Sequence, residues 1–315
     1  MSLAPLTPAD PVRLRVLRDW RRPDAAGPEG GWRLHWREAE GWGQILPRPT
    51  PEEAAHHHAV PDYYTHGARE AAPPLAGPAR ALRHAAWRLD RGAEADAAWW
   101  SAALGPAPLR VLEMGCGDGA TLRLLAGLGH RVEGVEPDPE AAARAQAAGI
   151  PVRSGTAEAP PEGLRGPFDA ILLLHVLEHC LDPAAALVNL RALAAPGARL
   201  VVEVPNNACW GARIFAASWH WLDVPRHVNF FTPRSLEALL RDTGWHPQET
   251  AFWGYARQFG PDWRDAQARI GAALGCGRGG ARWRYALLLA LSGLAPPARK
   301  YDSVRILARP AGGSA

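Results

Sequence analysis

The chain has 315 residues, with 35 Lys and Arg against 32 Asp and Glu and a formal net charge of +3. Its basic residues are almost all arginine and do not cluster with aromatics, which argues against a nucleic-acid surface. Cys116, Cys180, Cys209 and Cys276 are scattered without a CxxC pair, so a disulfide framework or cysteine metal site is not expected and a reducing cytoplasm is.

Residues 1–66 are rich in Pro, Trp and Gly, show weak periodicity and form an N-terminal extension; no signal-peptide pattern opens them. His56, His57 and His58 cannot all face one ion from a regular element, so they are expected in a solvated helix start or turn. Residues 67–107 are predicted helical, with Trp87, Trp99 and Trp100 as packing anchors. A strand over 109–114 then enters a turn at Gly115, Gly117 and Gly119, followed by a helix from Thr121 to Leu128. Glycines at these positions allow a tight turn and close approach of a ligand, which would meet free N–H groups at the helix start. Further strands read at 131–136, 151–153, 168–174, 198–204, 247–253 and 303–308. Helices read at 139–148, 183–194 and 233–242, the last with Thr232 as N-cap and Pro233 at its first position. This alternation predicts an α/β fold with a parallel sheet covered by helices on both faces. Residues 255–300 form a helical insertion. Its apolar run, Tyr285 to Leu294, is too short to span a bilayer.

Two ligands compete for the glycine turn. Gly115-x-Gly117-x-x-Ala120 meets the looser dinucleotide fingerprint, which leaves a nicotinamide-dependent oxidoreductase open. Either ligand needs an acid about 20 residues on to hold ribose hydroxyls, and Glu136 supplies it. Glu113 separates the two: a carboxylate there repels a pyrophosphate and attracts a sulfonium or ammonium.

The motifs Glu113-x-Gly115-x-Gly117-x-Gly119, Gly134-Val-Glu136 and Phe168-Asp-Ala-Ile-Leu-Leu-Leu-His-Val-Leu-Glu-His179 together resemble those of class I S-adenosylmethionine-dependent methyltransferases. Leu177-Glu178-His179 looks like the branch containing ubiquinone-pathway O-methyltransferases and the methyltransferases of sugar and polysaccharide clusters. The resemblance implies a Rossmann-like sheet of seven strands, the last antiparallel, over a core at 67–254 that resumes at 301–315. It implies that 1–66 is a degenerate zinc-ribbon-like lead-in without cysteines, held by Trp32, Trp36 and Trp42.

For S-adenosylmethionine it implies contacts from Glu113, Gly115, Cys116, Gly117, Gly119, Glu136, Pro137, Thr156, Ala157, the His175 backbone and Tyr64. Thr156 stands where relatives often carry Asp. Tyr63, Arg226 and Asn206 are expected toward the acceptor. His227 is the expected base, with a rate rising through the imidazole range, and Glu178 with His179 is the alternative dyad. No metal is expected. The acceptor would be a small molecule such as a sugar, phenol or natural-product intermediate, methylated on oxygen. A non-catalytic homologue that only binds cofactor or partner is the alternative from another class. The run from Trp283 to Leu291, with basic flanks, is expected to meet a membrane surface peripherally or to form a homodimer interface.

Overall fold

The structure, a computed structural model, describes residues 3–22, 25, 27–60, 74–275 and 281–312. The N-terminal part contributes β1 (Val12–Leu17), β2 (Trp32–Arg37), β3 (Trp42–Leu46) and α1 (Pro51–His58), then α2 (Gly77–Leu89) and α3 (Ala97–Leu104). The core alternates β4 (Arg110–Met114), α4 (Ala120–Gly127), β5 (Arg131–Val135), α5 (Pro139–Ala147), β6 (Val152–Arg153), β7 (Phe168–Leu174), α6 (Pro183–Leu193) and β8 (Ala194–Pro205). There follow α7 (Trp210–Phe215), β9 (Asn229–Phe231), α8 (Pro233–Asp242), β10 (Trp245–Trp253), α9 (Pro261–Ala273), α10 (Ala281–Ser292), α11 (Pro297–Lys300) and β11 (Ser303–Pro310). Four helices start by one local rule, a capping side chain followed by proline: Thr50-Pro51, Asp138-Pro139, Asp182-Pro183 and Thr232-Pro233.

The main sheet has the order β10-β11-β8-β7-β4-β5-β6, and β11 runs antiparallel to both its neighbours. β7 lies at its centre, parallel to β8 and β4, and β4 in turn is parallel to β5. Both faces are covered. Val111 and Leu172 pack with Trp100, Leu104 and Leu125 on one side, while Leu112, Ile171 and Val202 pack with Leu187, Leu190, Leu236 and Leu240 on the other. The strands therefore read as apolar runs without alternation.

The N-terminal strands form a separate antiparallel sheet of order β1-β2-β3-β9. Its fourth strand comes from a segment whose sequence reads as irregular. β9 pairs Phe231 with Trp42 and Asn229 with Gln44, 185 positions away in the chain. Leu17, Trp32, Leu34, Trp36, Ile45 and Phe230 make its small core. Trp42 leaves that core and packs into the main one, its ring 4.9 Å from that of Phe231. Gly43 has to be glycine, because a Cβ would lie 2.3 Å from the Trp36 ring.

Two expectations need correction. The three histidines end α1, and His57 turns inward. Trp87 is no anchor: it is 65% exposed, since α2 turns the neighbouring Ala86 inward. On α10, Tyr285 and Leu288 are buried, while Trp283, Leu287 and Leu291 form an outward row at helical spacing. Among the described residues no helix is long and apolar enough to cross a membrane.

Phe230 fills the core of the small sheet from β9. Phe230→Ala should cost about 3–5 kcal/mol, read as a lower midpoint in guanidinium unfolding. A midpoint equal to the parent's would show that β9 contributes little.

Candidate active site

The chain runs β4, β5, β6 outward and then returns to β7 on the other side of β4. That reversal opens a crevice at the carboxyl ends of the strands, where ligands bind in such sheets. The glycine turn lies at its mouth. Gly115 has φ +68°, and a Cβ there would sit 2.5 Å from Val176 Cγ2. Gly117 (φ +55°) donates its N–H to Glu136 Oε2 at 2.8 Å, and Asp138 N–H reaches Glu136 Oε1 at 2.9 Å. Gly119 (φ +76°) caps α4. The Cys116 side chain faces β5, where Gly134 makes room for its sulfur: a Cβ on Gly134 would lie 2.5 Å from Sγ. Only the Cys116 backbone belongs to the turn. Pro137 is exposed at the rim.

Glu113 is buried at the end of β4, and its Oε2 has no hydrogen-bond partner among the described residues. Burial, reinforced by Glu136 and Asp118, pushes its carboxyl up to about 8. Thr121 hydrogen-bonds the carboxyl and works against that rise, but a buried acid with one oxygen unsatisfied fits a cation or a strong donor. It fits the sulfonium and ammonium of S-adenosylmethionine and opposes the pyrophosphate of a dinucleotide. At the other end, the Thr156 hydroxyl accepts the Ala159 N–H at 3.0 Å, and Ala157 is buried with its carbonyl held by Asn189. Tyr63 and Tyr64 lie outside the described residues.

His175 follows β7 with φ +56°, an uncommon backbone for histidine. Nδ1 is 3.1 Å from Glu178 Oε1, Nε2 is 3.0 Å from Glu203 Oε1, and the ring stacks on Trp221 at 4.7 Å. Burial opposes its charge, but the two carboxylates outweigh burial and raise it to about 9. Glu203 is held down at about 2 against its own burial by His175, Arg305 and Arg257.

The segment 219–228 forms the opposite wall. His227 is buried, and its Nδ1 lies 2.7 Å from the Trp221 carbonyl, so Nδ1 carries the proton. Nε2 has no partner among the described residues. Burial pushes this imidazole down to about 4. His179 stands beside it, ring centroids 4.7 Å apart, and its Nδ1 faces the Arg226 carbonyl and His58 Nε2. Glu178, His179 and His227 each place one donor atom within 4.8 Å of the others.

Two predicted acceptor contacts are overturned. Arg226 is fully buried; it pairs with Asp19 at 2.7 Å and Asp223 at 3.0 Å and donates to the His57 carbonyl. Asn206 is likewise sealed, donating to the Ala298 and Tyr301 carbonyls while accepting from Ala208 N–H. Neither can reach a ligand, because every polar atom already serves the fold. Reading the sequence missed Glu203, Trp221 and Trp253, whose indole N–H donates to Glu203. A signal existed for Glu203 alone, as the single acid within the apolar strand Val201-Val-Glu-Val204.

Arg226 should be indispensable to folding. Arg226→Met strands two buried carboxylates and should cost about 3–5 kcal/mol, measured by thermal unfolding. In the parent, burial opposes ionisation of Asp19 and Asp223, and Arg226 outweighs it, lowering both. Their contribution is complete above the ordinary carboxylate value of about 3.9 and is lost as pH falls through the lower folded values. An unfolding series from neutral pH into acid should show a steeper loss in the parent than in Arg226→Met.

A family model described as a methyltransferase domain matches residues 80–250, more than half of the chain. The ubiquinone biosynthesis O-methyltransferase of Cereibacter sphaeroides is 34% identical over 152 residues, covering 44% of this chain and 61% of that protein. The protein of the same name from Maricaulis maris is 31% identical over 148 residues, covering 43% and 58%. The match therefore spans less than two thirds of these relatives' length. Among solved structures, a 1,6-didemethyltoxoflavin-N1-methyltransferase from Burkholderia thailandensis aligns over 88% of this chain and 99% of its own, with 20% identity and a TM-score of 0.47. The chain belongs to the methyltransferase-domain family.

Proposed function

We propose that the protein transfers the methyl group of S-adenosylmethionine to a hydroxyl oxygen of a small-molecule acceptor. The observation that carries this reading is the pairing of two unsatisfied buried groups at the same sheet edge, Glu113 Oε2 and His227 Nε2. The first suits the cationic donor; the second suits the acceptor's proton. The similarity to ubiquinone biosynthesis O-methyltransferases supports oxygen as the nucleophile.

Bound in the crevice, S-adenosylmethionine supplies an activated methyl on a sulfonium, a good leaving group. The chain's own task is to align and desolvate. The backbone at Gly115, Cys116, Gly117 and Gly119, with Pro137 at the rim, forms the cradle. Glu113 balances the donor's positive charge, and Glu136 receives ribose hydroxyls. Thr156 and Ala157 face the adenine end, and the His175 backbone lines the transfer position. On the resemblance alone, Tyr64 is assigned to the cofactor and Tyr63 to the acceptor. His227 accepts the acceptor's proton at Nε2, a role its pinned tautomer favours. Glu178 orients His175, and His179 stands ready to relay the proton. The acceptor is read as a phenol, sugar or related natural-product intermediate. The outward row of Trp283, Leu287 and Leu291 supports delivery from a lipid surface; sedimentation with anionic liposomes, beside a measurement of oligomeric state, separates this from a homodimer contact.

One observation favours a second reading of the base. Glu178 Oε2 and His227 Nε2 both lack partners among the described residues, and Glu178, His179 and His227 each offer one ligand atom within 4.8 Å of the others. These three residues would hold a divalent cation, which would lower the acceptor hydroxyl's pKa. Activity lost to a chelator and restored by Mg²⁺ or Zn²⁺ selects the cation; activity indifferent to chelation selects the free base.

His227→Ala should lower kcat roughly 10²–10⁴-fold while leaving S-adenosylmethionine affinity intact. Because His227 is held near 4, it is neutral throughout the imidazole range. The sequence-based rise in rate through that range is therefore replaced by a flat kcat at neutral pH, falling only in acid. A step in kcat near pH 6.5 would overturn the assignment.

Cofactor affinity should respond differently. Glu113 is protonated in the free protein below about 8, and a cationic ligand requires its ionised form. Binding should release a proton and tighten as pH rises toward that value. Glu113→Gln should weaken binding about tenfold or more and abolish the pH dependence. Calorimetry in buffers of different ionisation enthalpy measures both, and NAD in the same cell should give no heat.

A further inference from the structure

We infer that a second site, lined by Arg13, Arg213, Arg234 and Arg299 beneath the N-terminal sheet, binds a phosphate or diphosphate ester. These arginines come from β1, α7, α8 and α11 and surround a cavity of about 300 Å³. Glu38 is the only acid on its wall. None of the four arginines forms an ion pair with a carboxylate among the described residues, in contrast to Arg226, Arg257 and Arg305. Two are positioned rather than loose. Arg13 lies 4.4 Å over the Trp36 ring, and Arg299 donates to the Ala208 carbonyl at 2.9 Å.

Two further observations bear on the site. Trp36 is buried on the cavity wall, where its ring holds the Arg13 guanidinium in place. Pro233 and Arg234, the first residues of the ten-residue helix α8, also line the cavity, so a helix N-terminus adds positive potential. Gathering four like charges around one acid costs repulsion that a single carboxylate offsets only in part. For Arg13, burial lowers the pKa, Glu38 raises it, and the charges of Arg213 and Arg299 lower it. A multiply charged anion reverses that cost. Guanidinium forks match phosphate oxygens two at a time, and the volume admits a diphosphate. The cavity shares no lining residue with the glycine turn or with the His227 cluster. It straddles the junction of small sheet and core, so occupancy should also brace that junction.

The test is calorimetric titration of the full chain with inorganic pyrophosphate at low salt, beside the Arg213→Ala/Arg234→Ala double variant. Both side chains are exposed and have no carboxylate partner among the described residues, and Arg213 gives up only a cation–π contact with Trp210, so the variant should fold as the parent does. Expected are binding below about 1 mM that weakens steeply with salt, a loss of about tenfold or more in the variant, and unchanged S-adenosylmethionine affinity. Pyrophosphate should also raise the parent's melting temperature and not the variant's. Absence of binding at low salt, or equal binding by both proteins, overturns the site and leaves the methyl-transfer reading untouched. Vesicles of phosphatidylcholine with and without phosphatidic acid identify the source. Pelleting by phosphatidic acid that the variant loses assigns a lipid headgroup; pyrophosphate binding without pelleting assigns a soluble ester.

Discussion

One guanidinium, buried at Arg226, makes five hydrogen bonds: two to Asp19, two to Asp223 and one to the His57 carbonyl. Asp19 follows the first strand, His57 belongs to α1, and Asp223 precedes the base by four positions. Arg21 adds a second pairing to Asp223 at 3.0 Å, and His57 Nδ1 returns to Asp19 at 2.9 Å. Taking these charges out of water is costly, and their mutual attraction offsets that cost only because every donor is matched. The network fixes register more than it adds stability: any displacement of the N-terminal segment would strand a charge. The His227 backbone, one bond beyond Arg226, inherits that precision.

A second buried network meets at Glu203. Arg305 reaches it at 2.7 Å, His175 at 3.0 Å, and Trp253 through its indole N–H. Four strands, β7, β8, β10 and β11, are thereby tied at their functional ends. The positive φ of His175 is the strained element of this edge, and a backbone of that kind persists only where its surroundings over-determine it. Two carboxylates and the face of Trp221 do so here. The consequence is a cationic imidazolium at the end of β7 set against a neutral acid with one unsatisfied oxygen on β4, so adjacent parallel strands present opposite electrostatic characters to one crevice.

The three N-terminal tryptophans divide between two cores. Trp32 and Trp36 fill that of the small sheet, while Trp42 crosses into the main core beside Phe231. The extension is consequently continuous with the segment carrying His227, because β9 is at once its fourth strand and the exit of that segment.

What the sequence by itself determined is local. The glycine spacing at 115, 117 and 119, the acids at 113 and 136, the proline-started helices and the apolar strand runs are set by backbone sterics, capping and periodicity within a few residues. These were enough to read the sheet, the turn and the cofactor. Tertiary structure alone decided which polar residues remain available. Arg226 and Asn206 look like ligand contacts in sequence, yet both are consumed by partners up to 207 positions away. His57 and His58 look solvated, yet they face Asp19 and His179. The arginines at 13, 213, 234 and 299 have no pattern along the chain and converge only when four elements meet. The physical reason is common to all of them: conformation is encoded over one or two turns of chain, whereas desolvation and charge pairing depend on groups that folding alone brings within a few ångströms.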